Sequence, residues 1–183
     1  MRTERLLREY NLRLRHTHFP LHPETPPEGL TLEELFRGRG IDLEASKRRM
    51  KALMTAEGLP YGDRQRTFNS RVAQELGKYA DEHGRRQIHD ALYRAYFVDG
   101  LNLAQPDVLV KIATQVGVPL DEARQVLEQR TMRQAVDEDW ARSRRMGVTG
   151  VPTFVIDGHG VVGAQPYEAL QRFVESTGAT RRP

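Results

Sequence analysis

The stretch that decides the fold is Gly147-Val-Thr-Gly-Val-Pro-Thr-Phe-Val-Ile156. A loop punctuated by two glycines leads into a proline and then into a β-branched, apolar segment, which predicts a buried strand. Asp157-Gly-His-Gly160 has the composition of a turn, and Val161-Val162 resumes the strand pattern, so we predict a β-hairpin. Because a trans proline inside a sheet is awkward, a cis Val151–Pro152 bond is an economical solution, although an ordinary proline at a strand edge is also compatible with the pattern.

Most of the chain before this loop is predicted to be helical. Between residues 31 and 141, apolar residues recur at helical spacing, and prolines and glycines separate the segments. Thr31 with Glu34 is a capping-box signature for a short first helix, and Asp42 can cap a second one. The stretch 121–146 reads as one bent helix or two.

The N-terminal part has a different pattern. Residues 2–10 are helical in composition, whereas Asn11-Leu-Arg-Leu-Arg-His-Thr-His18 alternates with period two and predicts a half-buried strand. Residues 19–29 contain four prolines and are predicted to form an extended surface loop. At the other end of the chain, Gln165-Pro166 opens a final amphipathic helix. The predicted order is therefore short helix, strand, many helices, hairpin and helix.

Composition narrows the class of protein. The 183 residues are 38% hydrophobic, which is enough for a real core, and they include no cysteine. Without cysteine there are no disulfides, thiolate metal ligands or cysteine nucleophiles, which fits a reducing cytoplasm. No apolar segment is long enough for export or for membrane insertion. The net charge of +3 comes from interspersed basic and acidic residues, so nucleic-acid binding is not favoured. We expect a cytoplasmic protein without a membrane or nucleic-acid partner.

The histidines and serines do not form recognisable reactive sites. His16 and His18 share one face of the predicted strand, and the loop could return His22 to them, but no carboxylate or cysteine lies at a ligand spacing. We therefore predict no metal site. A Ser-His-Asp hydrolase is not supported either, because the serines lack the context of a nucleophile elbow.

Two other polar groups have functional and structural explanations. Asn69 and Ser70 could contact a substrate, but capping the helix that follows explains them equally well and is the default. Arg142, Arg144 and Arg145 precede the proline loop and could attract an anion such as glutathione. A solvated helix end, where cations complement the helix dipole, is the better explanation for these arginines.

Five motifs follow one another in a characteristic order. The most specific are Met146-Gly-Val-Thr-Gly-Val-Pro-Thr-Phe-Val-Ile-Asp157 and Gly163-Ala-Gln-Pro166. Upstream lie Phe19-Pro-Leu-His-Pro-Glu24, Thr67-Phe-Asn-Ser70 and Ala95-Tyr-Phe-Val-Asp-Gly100. Together they resemble the DsbA-like thioredoxin family in its FrnE-type branch, and the resemblance covers essentially the whole chain.

The resemblance implies an α/β, thioredoxin-like fold with a large α-helical insertion. Residues 1–30 and 147–183 would form the thioredoxin-like domain, and residues 31–146 the helical insertion. Pro152 would be the cis proline beside the active site. The backbone of Val151 would dock an extended thiol or peptide substrate, with Thr149 and Gly150 in the same substrate-binding loop. The implied partner is a thiol or disulfide peptide or protein.

The sequence departs from the family at its N-terminus. Family members begin with a strand and a Cys-x-x-Cys turn at the start of the first helix, where the helix dipole stabilises a thiolate. Residues 2–10 resemble the end of that helix, so the first strand and the catalytic cysteines are expected to be missing. Loss of this strand would leave the segment 12–18 without a neighbour. A late start codon, a truncated gene or a degenerate paralogue would each explain the departure, and we favour a late start at Met1.

These observations leave three functions open. The leading one is a thiol-disulfide oxidoreductase family member that is catalytically incomplete as given and needs no cofactor. The second is a glutathione-dependent isomerase of the 2-hydroxychromene-2-carboxylate type, with glutathione as cofactor, whose signature serine would also belong near the missing turn. The third is a non-catalytic thioredoxin-like module that binds an extended peptide or a partner protein.

Overall fold

The structure is a computed structural model that describes residues 2–183, so Met1, the start discussed above, lies outside the described residues. The chain divides into two compact units. We call residues 2–21 with Glu138–Pro183 the terminal unit, and His22–Asp137 the central unit. In chain order the elements are α1 (Arg2–Glu9), β1 (Leu30–Thr31), α2 (Leu32–Phe36), α3 (Leu43–Ala56), β2 (Arg66–Thr67), α4 (Arg71–Glu82), α5 (Gln87–Phe97), α6 (Pro106–Gln115), α7 (Leu120–Gln129), α8 (Arg133–Arg145), β3 (Thr153–Ile156), β4 (His159–Val162) and α9 (Tyr167–Ser176).

The helix starts predicted from capping residues are confirmed. Before α2, the backbone N–H of Glu34 donates to Thr31 Oγ1 at 3.1 Å, and the N–H of Thr31 donates to Glu34 Oε2 at 2.7 Å. This reciprocal pair is a complete capping box. Before α3, Asp42 Oδ1 accepts from the N–H of Ala45 at 2.9 Å. In both cases a short polar side chain satisfies a helix donor that has no partner within its own helix.

The core of the central unit lies among helices α4 to α7. Its fully buried side chains include Leu76, Ile88 and Leu109. Glu75, on the same helix as Leu76, is also completely buried. Its carboxylate accepts hydrogen bonds from Arg71 at 2.7 Å and from Arg130 at 2.6 and 2.7 Å. The helical bundle is therefore held together by apolar packing and by one buried ionic cluster.

The proline-rich loop after residue 21 is bonded within the central unit. Asn69 Nδ2 donates to the carbonyl oxygens of Pro23, at 3.1 Å, and Thr25, at 2.8 Å, and Thr25 is buried. The short β1–β2 ladder pairs Leu30 with Thr67 immediately after this loop. The predicted domain boundaries, at residues 30/31 and 146/147, mark where a helical segment is inserted into a thioredoxin-like domain. The two compact units are defined differently, by contacts within the chain, so they do not test these boundaries, which stay predictions.

The core of the terminal unit is built by α1, α9 and the hairpin. Its buried members are Leu6, Tyr10, Tyr167, Leu170 and Val174, and side chains of β3 pack against them. The hydroxyl of Tyr10 donates to Glu175, and that of Tyr167 donates to Glu9. Burial and the neighbouring Glu9 carboxylate raise the pKa of Tyr167 to about 12, so this phenol remains a donor at neutral pH.

The predicted hairpin is present and tighter than expected. β3 and β4 are antiparallel, with Ile156 opposite His159 and Phe154 opposite Val161. Asp157 and Gly158 form the turn with φ of +48° and +81°, the left-handed conformation that a two-residue hairpin turn requires. The expectation that residues 157–160 form the turn was wrong by two residues, because His159 already pairs with β3.

The predicted strand over residues 11–18 is not formed. Residues 11–20 belong to no helix or strand, although their burial alternates as a strand's would. Leu12, Leu14, His16 and His18 are half-buried, while Arg13, Arg15 and Thr17 between them are exposed. The pattern therefore predicted which side chains face inward. A strand also needs a neighbouring strand, and no other segment among residues 2–183 forms a ladder with residues 11–18.

No helix within residues 2–183 combines the length and the apolar character needed to cross a membrane.

Candidate functional site

The candidate site begins where α8 ends in the terminal unit. The N–H of Gly147 donates to the carbonyl of Arg144, and the N–H of Val148 donates to that of Ser143, each at 3.0 Å. Gly147 has φ of +68°. These two bonds around a left-handed glycine make a Schellman motif, which stops the helix and redirects the chain. The glycine at 147 therefore sets the direction in which the loop leaves α8.

The four predicted substrate-binding residues follow as one short loop. Thr149, Val151 and Pro152 are exposed, and the side chain of Val151 is 51% exposed despite being apolar. The Val151–Pro152 peptide bond is cis. Thr153 Oγ1 donates to the carbonyl of Gly150 at 2.7 Å, and the N–H of Gly163 donates to the carbonyl of Pro152 at 2.8 Å. The loop is thus tied down on both sides of Val151.

The backbone of Val151 is available to a ligand. Among residues 2–183, neither its N–H nor its carbonyl takes part in a hydrogen bond. An exposed residue with a free donor and a free acceptor, held between two fixed neighbours, can pair with the backbone of an extended peptide. The loop therefore provides main-chain recognition, which depends little on the sequence of the ligand.

A groove of about 570 Å³ opens beside the loop, entirely within the terminal unit. Its walls are consecutive residues of two segments, 12–15 and β3, together with Val148 and Val151 of the loop. Its apolar bed includes Leu6 of α1 and Leu170 and Val174 of α9. The groove was missed in the sequence because its walls come from opposite ends of the chain. The signal that pointed toward it was the period-two pattern of residues 11–18.

The rim of the groove carries more positive than negative charge. Arg13, Arg15 and Arg142 line it and are exposed, and Asp157 is the carboxylate that lines it. Arg144 and Arg145 are exposed on the same turn of α8. The predicted solvated helix end is thus observed, and its charges favour an anionic group beside the loop.

The second pair of predicted residues has a structural role in the central unit. Asn69 Oδ1 accepts from the N–H of Arg71 at 2.9 Å, so Asn69 caps the start of α4. Ser70 accepts a hydrogen bond from Gln74 at 3.0 Å. The first contact agrees with the capping explanation for Asn69, whereas the side chain of Ser70, at the N-cap position of α4, makes no capping hydrogen bond.

The chemistry available in the terminal unit is binding rather than exchange. Thiol-disulfide exchange requires a thiolate that attacks a disulfide sulfur, and the chain has no cysteine. The loop and the groove can hold a ligand and orient it, while a reacting thiol is not among these 183 residues.

Comparison with known proteins identifies what the chain resembles. The family model described as the DSBA-like thioredoxin domain matches residues 1–175. A solved structure of a probable DsbA oxidoreductase from Streptomyces coelicolor is 30% identical, with a TM-score of 0.87, and the alignment covers 100% of this chain and 84% of that one. No curated protein sequence matches the chain. The predicted thioredoxin-like fold with a helical insertion is confirmed by these two matches.

Proposed function

Because the chain belongs to the DsbA-like thioredoxin family, we propose that its Thr149–Pro152 loop binds extended thiol- or disulfide-containing peptides. We assign it to the FrnE-type branch, on the order of its five motifs. These 183 residues supply the binding side of a disulfide oxidoreductase site and carry out no exchange by themselves, since they contain no cysteine. The structural neighbour is itself described as a probable DsbA oxidoreductase.

The observation that carries the proposal is the exposed, unbonded backbone of Val151. A peptide that lies antiparallel to the loop would form main-chain hydrogen bonds with this residue, and its side chains would determine the fit. The fixed carbonyls of Gly150 and Pro152 keep the loop in one conformation, so little ordering entropy is lost on binding. A thiol or disulfide of the bound peptide would then be presented at the loop to a reacting thiol that these 183 residues do not supply.

The binding test uses two glycines, Gly150 in the loop before the hairpin and Gly160 within β4. A Cβ at Gly150 would meet nothing within 4 Å, so Gly150→Val places a side chain in open space beside Val151. Gly160→Val is the matched control, since a Cβ there makes ordinary contacts at 3.8 Å or more, on a strand outside the groove. The probe is a short synthetic peptide with one cysteine blocked as a mixed disulfide, and the readout is isothermal titration calorimetry.

We expect Gly150→Val to weaken binding by at least about tenfold, the effect of losing one or two main-chain hydrogen bonds, and Gly160→Val to bind like the wild type. Absence of saturable binding to the wild type, or equal binding by both variants, would contradict the proposal. In an insulin-reduction assay the chain should show no turnover above background, because it offers no thiolate. Stabilisation of the chain by glutathione alone, with no peptide binding, would favour the glutathione-dependent isomerase instead.

A further inference from the structure

Helix α3 of the central unit contributes no side chain to a buried core. It has 14 residues, none of which is buried, and its half-buried members are Leu43, Lys47 and Met54. Among residues 2–183, no other helix or strand packs extensively against it. A helix of this length is only marginally stable in water by itself, and most helices in proteins gain their stability by packing one face. α3 therefore presents a helix surface without a packing partner in the described part of the chain.

The side of α3 that faces the rest of the central unit is identified by Lys47. Its ammonium group lies 3.4 Å from the carboxylate of Asp63 and donates to Gln65 Oε1 at 3.1 Å. Leu43, Lys47 and Met54 recur at i, i+4 and i+11, so they share one side of the helix. This side faces the segment before β2, and the opposite side of α3 faces solvent.

The solvent side of α3 is largely apolar, and its centre is small. Residues at i, i+4, i+7 and i+11 lie on one side of a helix. On the solvent side, four exposed residues with this spacing form what we call the alanine face: Ala45, Arg49, Ala52 and Ala56. Met50 and Leu53 flank it and are 44% and 40% exposed. Because the distance between two packed helices depends on the side chains at their contact, three alanines allow a second helix to approach closely.

The cations on the exposed part of α3 have no counter-charges within the chain. Arg48, Arg49 and Lys51 are exposed, and none of them has an ion-pair or side-chain hydrogen-bond partner among residues 2–183. Arg37 and Arg39, also exposed, precede the helix. Residues 37–56 include six basic and two acidic side chains. Charge complementarity therefore favours a partner that carries negative charge.

We propose that α3 binds an acidic amphipathic α-helix of a partner protein, which packs along the alanine face. Large apolar side chains of the partner, at i, i+3, i+4 and i+7, fill the space beside the alanines and contact Met50 and Leu53. Arg49 lies within this face, so docking removes water from its guanidinium group, and a carboxylate of the partner must compensate for that loss. Arg48 and Lys51 attract further carboxylates at the edge of the contact.

Two other occupants fit the surface less well. Pairing of α3 with the α3 of a second copy would bring two groups of unpaired cations together, which opposes association. Helices that lie on membranes carry tryptophan, phenylalanine or leucine on their apolar face. The alanine face instead has three alanines and an arginine, which suit the surface of another helix.

The test uses a fluorescein-labelled synthetic peptide of about 18 residues, with leucines at i, i+3, i+4 and i+7 and glutamates beside them. Fluorescence anisotropy measures its binding to the whole chain. A second peptide carries lysine in place of every glutamate. A third has a proline at its centre, which breaks the helix and keeps the charge.

We expect saturable binding of the acidic peptide, and at least about tenfold weaker binding of the lysine and proline peptides. Arg49→Glu should weaken binding of the acidic peptide about tenfold and strengthen binding of the lysine peptide, because it replaces an attraction by a repulsion. The matched control is Arg124→Glu, an exposed arginine on α7, which should bind both peptides like the wild type. Ala52→Gln keeps a good helix former but adds bulk, and it should also weaken binding of the acidic peptide about tenfold.

Several outcomes would overturn the inference. No saturable binding of the acidic peptide, equal binding of the proline peptide, or equal effects of Arg49→Glu and Arg124→Glu would each contradict a helix on this face. Sedimentation with phosphatidylserine vesicles that the acidic peptide does not compete away would assign the surface to a membrane. A dimer in light scattering that Arg49→Glu abolishes would assign it to a second copy. Gly150→Val, in the terminal unit, should keep the acidic peptide, so failure of the proposed loop function would leave this result unchanged.

Discussion

Replacing Glu75 with glutamine should destabilise the central unit strongly without changing its shape. The Glu75 side chain is 1% exposed, whereas those of its partners Arg71 and Arg130 are 17% and 39% exposed. Its two oxygens accept three hydrogen bonds from the guanidinium groups, at 2.6 to 2.7 Å. Glutamine keeps the volume but has one acceptor oxygen, and its amide N–H₂ would face guanidinium donors.

The size of the destabilisation depends on the contacts that Arg71 and Arg130 keep after the substitution. Removing one partner of a buried ion pair costs about 3–5 kcal/mol because a charge is left buried without compensation. Here the arginines are partly exposed and can recover hydration, and Arg71 keeps Asp137 at 2.7 Å. The lower end of this range therefore applies, and we expect Glu75→Gln to lower the free energy of unfolding by about 3 kcal/mol. For a chain of this size that corresponds to a fall in Tm of about 6–12 °C.

The assay is urea unfolding followed by circular dichroism, with Glu128→Gln as the matched control. Glu128 is exposed on α7, so the same substitution there should change the free energy of unfolding by less than about 0.5 kcal/mol. Equal stability of Glu75→Gln and the wild type at neutral pH would refute the assignment of Glu75 as a charged partner. Equal losses of unfolding free energy in Glu75→Gln and Glu128→Gln would show that the buried ion pairs of Glu75 do not account for the effect.

The pH dependence of the same pair of proteins gives an independent check. Burial by itself would raise the pKa of Glu75, but hydrogen bonds from Arg130 and Arg71 outweigh it and hold this pKa below its ordinary value of 4.5. The stabilisation is therefore present above pH 4.5 and is lost as the pH falls through the lower pKa of the folded state. The stability difference between wild type and Glu75→Gln should shrink on acidification below that value. A difference that grows instead would mean that Glu75 is neutral in the folded protein.

Four further substitutions test the packing and one helix cap, each by urea unfolding. Gly29→Ala should cost about 3 kcal/mol, because its Cβ would lie 2.4 Å from the backbone oxygen of Thr67 at a φ of +78°. Gly84→Ala, at a similar φ but in open space, should cost only about 1 kcal/mol, and equal losses would contradict the clash. Thr31→Ala should cost about 1 kcal/mol through loss of the capping box, and no loss would mean that α2 is held by packing alone. Leu76→Ala should cost about 2–5 kcal/mol, since Leu76 is fully buried, and a loss under 1 kcal/mol would contradict its place in the core.

Local features of the fold were predictable because their causes are local. The caps at Thr31 and Asp42 need only residues three positions away, and the hairpin needs only β-branched residues around Asp157-Gly158. The resemblance to the DsbA-like family added the thioredoxin fold, which no local pattern supplies. The binding role of residues 149–152 was likewise implied by the resemblance, through residues that are contiguous in the sequence, and it stays a prediction.

Features that depend on distant contacts were not predictable. The sequence left residues 121–146 as one helix or two, and the structure divides them at Arg130, whose φ is +52°. Arg130 reaches back 55 residues to hold both oxygens of Glu75, and the left-handed turn lies at the residue that makes this contact. The divided helix is thus linked to a tertiary ion pair, and the 3.6-residue pattern on either side of Arg130 carries no information about it.

The unformed strand at 12–18 shows how one sequence pattern serves two purposes. An unpaired edge with an apolar face invites uncontrolled pairing between copies, and charges on its outer face oppose such pairing. Arg13 and Arg15 are placed there, one residue on each side of the half-buried Leu14. Two copies that met at this edge would bring like charges together. The arginines between the half-buried residues therefore oppose pairing between copies, and raising the salt concentration should weaken this repulsion before it weakens the apolar contacts.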